Sequence, residues 1–156
     1  MKTLNYFFGA LCAMTLATSC EKENTFQQEI PTPEPKPTTE YVGSMTVDQM
    51  DGTSFTKEGV KVSYELLDDT TMEIVMYGAK FAQAMPLELN MTISGVEYSK
   101  SDNGYTLSGD NIIPYAMGGP FEQYTITGLT GNINDEGMEL DFTCGVFPVS
   151  FSGTTE

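Results

Sequence analysis

The chain has no histidine, no tryptophan and no arginine among its 156 residues. Histidine is the side chain that titrates nearest neutrality and the commonest metal ligand. Its absence removes the usual general base and the usual transition-metal site. Arginine is the main reader of phosphates and base edges. Seven lysines face 22 acidic residues, for a formal net charge of −15. So acidic a chain repels phosphate backbones, and nucleic acid is not expected as a partner. Anionic headgroups are repelled as well, so attachment to a membrane has to be covalent.

Cysteine is nearly as scarce, with Cys12, Cys20 and Cys144 only. Cys12 falls in a leader and Cys20 has a separate fate, which leaves no disulfide framework. A nucleophilic Cys144 would need a cationic neighbour, usually histidine, to lower its pKa. An inert buried thiol is expected instead. The acidic pairs Asp68-Asp69 and Asp135-Glu136 sit where turns are expected, and neither has the alternating oxygens of a calcium loop. No catalytic residue, metal ligand or cofactor is expected, and the chain reads as a non-enzyme.

What is present begins with Met-Lys and an apolar run from Leu4 to Ala17, then Thr18-Ser19-Cys20. One lysine, about 14 mostly apolar residues and a small-residue exit form a signal peptide too short to span a bilayer. A cysteine placed directly after Ala17, Thr18 and Ser19 resembles the lipobox of bacterial lipoproteins. The resemblance implies residues 1–19 as leader, a diacylglycerol on the Cys20 thiol, and cleavage that makes Cys20 the first mature residue. At about 0.8 kcal/mol per buried CH₂, two or three acyl chains anchor essentially permanently. Glu21-Lys22-Glu23-Asn24 resembles the acidic tether signals of surface-exposed lipoproteins of diderm bacteria. An outer-membrane lipoprotein is therefore expected, facing either the periplasm or the cell exterior.

Residues 20–40 have no apolar periodicity, and Pro31, Pro33, Pro35 and Pro37 alternate with other residues. Proline at every second position blocks helix and ladder hydrogen bonding and favours extended geometry, so the segment reads as a spacer.

From Tyr41 to the C terminus, residues 41–156, the apolar pattern has period two, the spacing of half-buried strands. Leu87, Leu89, Met91 and Ile93 share one face, as do Val60, Val62, Tyr64 and Leu66. Met72, Ile74 and Met76 form another such set, Met45 pairs with Val47, and Met138, Leu140, Phe142 and Cys144 close the series. Turn chemistry at Asp51-Gly52, Asp68-Asp69-Thr70, Asn103-Gly104, Gly118-Gly119-Pro120 and Asp135-Glu136-Gly137 separates these runs. Strands are expected at 41–50, 55–67, 71–82, 86–98, 104–113, 121–133, 138–144 and 146–153. At Gly145 the apolar phase moves from even to odd positions, which fits either a bulge or a turn.

About eight antiparallel strands of similar length with short links hide their apolar faces by closing into an up-and-down barrel, an all-β fold that leaves no sticky edge. A two-sheet sandwich is the alternative. The body resembles the calycin-like β-barrel of small diderm lipoproteins, related to the lipocalins. The resemblance rests on Tyr41-Val42-Gly43-Ser44-Met45, on Met91-Thr92-Ile93-Ser94-Gly95-Val96 and on Tyr124-Thr125-Ile126-Thr127-Gly128. It implies fold and address but no substrate. The lipocalin Gly-x-Trp motif and its packing arginine are absent.

An eight-stranded barrel is either filled by side chains or just wide enough for one small ligand. Met45, Met72, Met76, Met91 and Phe142 are expected to face inward, plugging the core or lining an adaptable apolar pocket. Phe81, Met85, Tyr115, Met117 and Phe121 are the candidates for its mouth. The leading functional expectation is an anchored binding or accessory module for a small apolar ligand. The alternative is a structural or protein-interaction module with a solid core. Asp69-Thr70-Thr71 resembles a bacterial O-glycosylation acceptor, with Thr70 as the modified residue.

Overall fold

Alternating apolar side chains settle on the inside of a closed antiparallel barrel. The computed structural model describes residues 39–155; the expected leader, Cys20 and the expected spacer up to residue 38 lie outside the described residues. The strands are β1 (Glu40–Asp48), β2 (Ser54–Leu66), β3 (Thr71–Ala79), β4 (Leu89–Ser101), β5 (Gly104–Gly109), β6 (Tyr115–Ala116), β7 (Gly119–Pro120), β8 (Ile126–Asn134), β9 (Met138–Cys144) and β10 (Phe147–Thr155).

Eight of them form the wall in the order β3-β2-β1-β10-β9-β8-β5-β4, and β4 pairs back onto β3 to close the ring. Chain neighbours are wall neighbours, so the barrel is up-and-down, as expected, with β1 and β10 meeting at the seam. The β6–β7 hairpin lies outside the ring and pairs with the start of β4 through Met91↔Ala116 and Thr92↔Tyr115. One single-turn 3-10 helix spans Glu122–Tyr124.

The lumen is filled. Met45, Met72, Met76 and Met138 are fully buried, as are Ile74, Ile93, Ile126 and Leu140. Burying each such side chain contributes roughly 1.5–3 kcal/mol relative to leaving it in water. The outward positions are polar. One register row runs Ser108–Thr130–Asp141–Ser150–Thr46–Thr56 across six strands.

The first strand ends at Asp48 rather than 50, and the larger shifts in strand bounds fall in β3, β4, β5 and β8. Leu87 stands outside β4 and is exposed, and β4 instead runs on to Ser101. The strand expected to reach 113 ends at Gly109, and the one expected to start at 121 starts at Ile126. Residues 80–82 belong to a loop rather than to β3. The turn after β4 centres on Asp102 and Asn103, one place before Asn-Gly, because Ser101 pairs with Gly104. At Gly145 the chain makes a two-residue turn, with Cys144 paired to Phe147. Paired positions there have opposite parity, which is why the buried phase changes. Gly145 sits at φ 66, at the first turn position, where a II′ hairpin favours glycine.

Candidate functional site

Strand direction sorts the connections into two ends. The links 49–53, 80–88, 110–125 and 145–146 lie at one end, called the rim here. The links 67–70, 102–103 and 135–137 lie at the other, together with Thr39, where the described chain enters, and Thr155, where it finishes.

The rim carries a small apolar pocket of about 90 Å³ lined by Phe81, Met85, Leu89, Met91, Ala116, Met117, Phe121 and Tyr124. Its floor is the start of β4, and one wall is the β6–β7 hairpin held on β4. The opposite wall, residues 80–88, is fixed from two sides. Gln49 Nε2 donates to the Phe81 carbonyl at 2.9 Å, and Lys57 Nζ meets Glu88 Oε1 at 2.7 Å. The 110–125 segment is tied to β8 by paired backbone bonds between Ile112 and Ile126, at 2.7 and 3.0 Å. Phe121 N donates to the Pro114 carbonyl at 2.8 Å. Three rings run along the pocket, Phe81 to Tyr124 at 6.2 Å and Tyr124 to Phe121 at 4.8 Å between centroids.

Five of the sequence candidates, Phe81, Met85, Met91, Met117 and Phe121, come together here. Tyr115 belongs to the same hairpin but points to solvent, half exposed, and does not line the pocket. Met45, Met72, Met76 and Phe142 are core residues that do not line it. Leu89, Ala116 and Tyr124 were not among the candidates. The Gly118-Gly119-Pro120 turn signal, read as the tip of a hairpin, would have pointed to Ala116.

The pocket sits inside a wider apolar rim. Met50, Leu87, Ile113, Tyr115, Met117 and Val146 are all large, exposed hydrophobics, and each belongs to a rim connection. Leu67, at the other end, and Tyr77, on β3, are the remaining two among the described residues.

Cys144 is fully buried, with Sγ 3.7 Å from the Tyr124 carbonyl, and burial pushes its thiol up to about 12. It is protonated at any physiological pH. Among the described residues, no group of three or more His, Cys, Asp or Glu side chains is placed to hold a metal ion. Thr70 is exposed in the 67–70 turn, its hydroxyl donating to Asp68 Oδ1 at 2.9 Å. Compared with protein-family models, with curated proteins and with solved structures, the chain matches none.

Proposed function

We propose that this chain is a non-enzymatic binding module of the diderm cell envelope, anchored in the outer membrane by acyl chains on Cys20, with a calycin-like barrel. It binds a small apolar molecule, or the apolar terminus of a larger one, at the rim rather than in the lumen.

The carrying observation is the rim pocket within its collar of exposed apolar side chains. Monomeric soluble domains rarely gather large exposed hydrophobics in one place unless something binds there. The filled lumen rules against swallowing a whole lipid. At about 90 Å³ the pocket is well below the roughly 300 Å³ floor of drug-sized sites, and close to the volume of about three waters. One short branched or aromatic group fits it. Met85, Met91 and Met117 supply flexible, polarizable walls that adapt to the group's shape.

Native mass spectrometry of the full chain isolated from its host tests this. A small apolar mass should be retained by the natural protein and lost from Ala116→Phe, which fills the pocket. Identical ligand-free spectra for both would overturn the ligand reading in favour of a solid protein-interaction module.

A further inference from the structure

The entry end of the barrel holds a second, larger cavity, of about 260 Å³, and its chemistry is different. Rings and polar groups line it together: Tyr41, Tyr64 and Tyr105 with Asn103, Asn134 and Asp135. The tyrosines are inward positions of β1, β2 and β5, so the barrel ends in an aromatic layer. Tyr41 and Tyr64 lie 6.3 Å apart at an interplanar angle of 27°, and Tyr105 stands at 68° to Tyr64 with centroids 5.9 Å apart. Tyr98 braces Tyr105 from behind, edge-on at 5.2 Å, and its own hydroxyl donates to the Asp68 carbonyl at 2.9 Å.

Three properties select the occupant. Among the described residues no lysine lines the cavity, and Asp135 is its one charged residue. Tyr105 stands steeply to Tyr64, so the three rings form the walls of a cage and not one flat platform on which a sugar ring lies. Aromatic faces are electronegative and attract a cation within about 6 Å of the ring centroid, most strongly where water is excluded. Burial, reinforced by the neighbouring Tyr64, Asp135 and Tyr105, holds the Tyr41 phenol above its usual value, so it remains a neutral hydroxyl. An anion would meet Asp135 and the field of a chain carrying −15.

We infer that this cavity binds an organic cation, an alkylated ammonium group held against Tyr64 and Tyr105 with Asp135 as its counter-charge. The site is independent of the rim pocket and stands or falls separately from it.

Choline chloride is the probe, titrated calorimetrically into the full chain in a non-ionic detergent. Saturable binding is expected. Tyr64→Leu should weaken it about tenfold, whereas Tyr64→Phe, which keeps the ring face, should stay within about threefold. Asp135→Asn should weaken it severalfold, and because Asp135 is exposed its replacement leaves folding intact. Ala116→Phe at the far end should change nothing. Three results would overturn the inference: no binding of choline, equal binding of its neutral isostere 3,3-dimethyl-1-butanol, or a Tyr64→Leu protein that folds and keeps full affinity. Should Tyr64→Leu fail to fold, unchanged affinity in Asp135→Asn would overturn it alone. Binding of glucose in place of choline would reassign the cavity to a neutral sugar.

Discussion

Asp68 organises the turn between β2 and β3 through four hydrogen bonds. Its carboxylate accepts from Thr70 N at 2.8 Å and Thr71 N at 2.7 Å, and from the two threonine hydroxyls at 2.9 and 2.8 Å. Hydrogen bonding to the ionised form lowers its pKa from 3.8 to about 2. The sign follows: a carboxylate depressed in the fold contributes stability above its unfolded pKa and loses it as pH falls through the folded one. Asp68→Ala should therefore melt below the natural protein at pH 7, with the gap closing between about pH 4 and pH 2. A gap that persists at pH 2 would assign the loss to backbone geometry instead. Cys144 titrates at the other extreme. Its thiol is raised from 9.0 to about 12 by burial, so the unfolded state ionises first and stability falls as pH climbs above 9. At pH 8 the folded chain should leave the Cys144 peptide unlabelled by a maleimide, with full labelling in denaturant. Rapid labelling of the folded protein would show an open path to the thiol.

At the scale of the strand, alternation was legible and its interruptions were not. Val60 and Val62, the Met72-to-Met76 run and Met138 through Cys144 face inward as their period-two spacing requires. Yet buried positions change parity inside β2, β3, β4 and β8. The register shifts there fall at Gly59, Gly78, Gly95 and Gly128, all with positive φ. Each is a bulge that adds one residue, and a bulge residue in the left-handed region suits glycine. The sequence marks these places only as isolated glycines, so Leu87 was extrapolated inward from Leu89, Met91 and Ile93 although the strand starts after it. The rim site was half legible for a related reason. Phe81, Met85, Met117 and Phe121 stand out as large apolar residues between turn signals, whereas two-residue strands such as β6 carry no periodicity to read. The inward tyrosines of the entry end were hidden in ordinary strand patterns, since Tyr41 and Tyr64 sit on paired strands and closure of the barrel brings Tyr105 of β5 to them.

Two glycines separate the two reasons a strand needs one. At Gly95 a Cβ meets nothing within 4 Å, but the backbone sits at φ +82. Gly95→Ala should cost about 1–2 kcal/mol from conformation alone. At Gly43 a Cβ would lie 1.9 Å from the Ser152 carbonyl oxygen, across the β1–β10 seam. That contact forces the backbones apart, so Gly43→Ala should be the more damaging change despite its ordinary φ. Urea unfolding of both variants ranks them, and a Gly43→Ala protein as stable as Gly95→Ala would mean the seam gives way easily.

Across the whole molecule, charge works against the compact state. The 22 carboxylates and seven lysines leave −15, and among the described residues folding draws like charges together on one polar outer wall. The ion pairs Lys57–Glu88 and Lys61–Glu40 lie on the surface, where such pairs contribute little and salt screens them. Repulsion is many-bodied and longer in range, so it dominates at low ionic strength, where the Debye length is about 30 Å at 0.01 M. Screening therefore removes more repulsion than attraction. The melting temperature should rise as sodium chloride goes from about 10 to about 150 mM, where the Debye length has fallen to about 8 Å. A neutral osmolyte at matched osmolality should not reproduce that increment. A melting temperature that falls with salt would mean that the few lysine pairs outweigh the net charge, and the wall would then be held together by attraction.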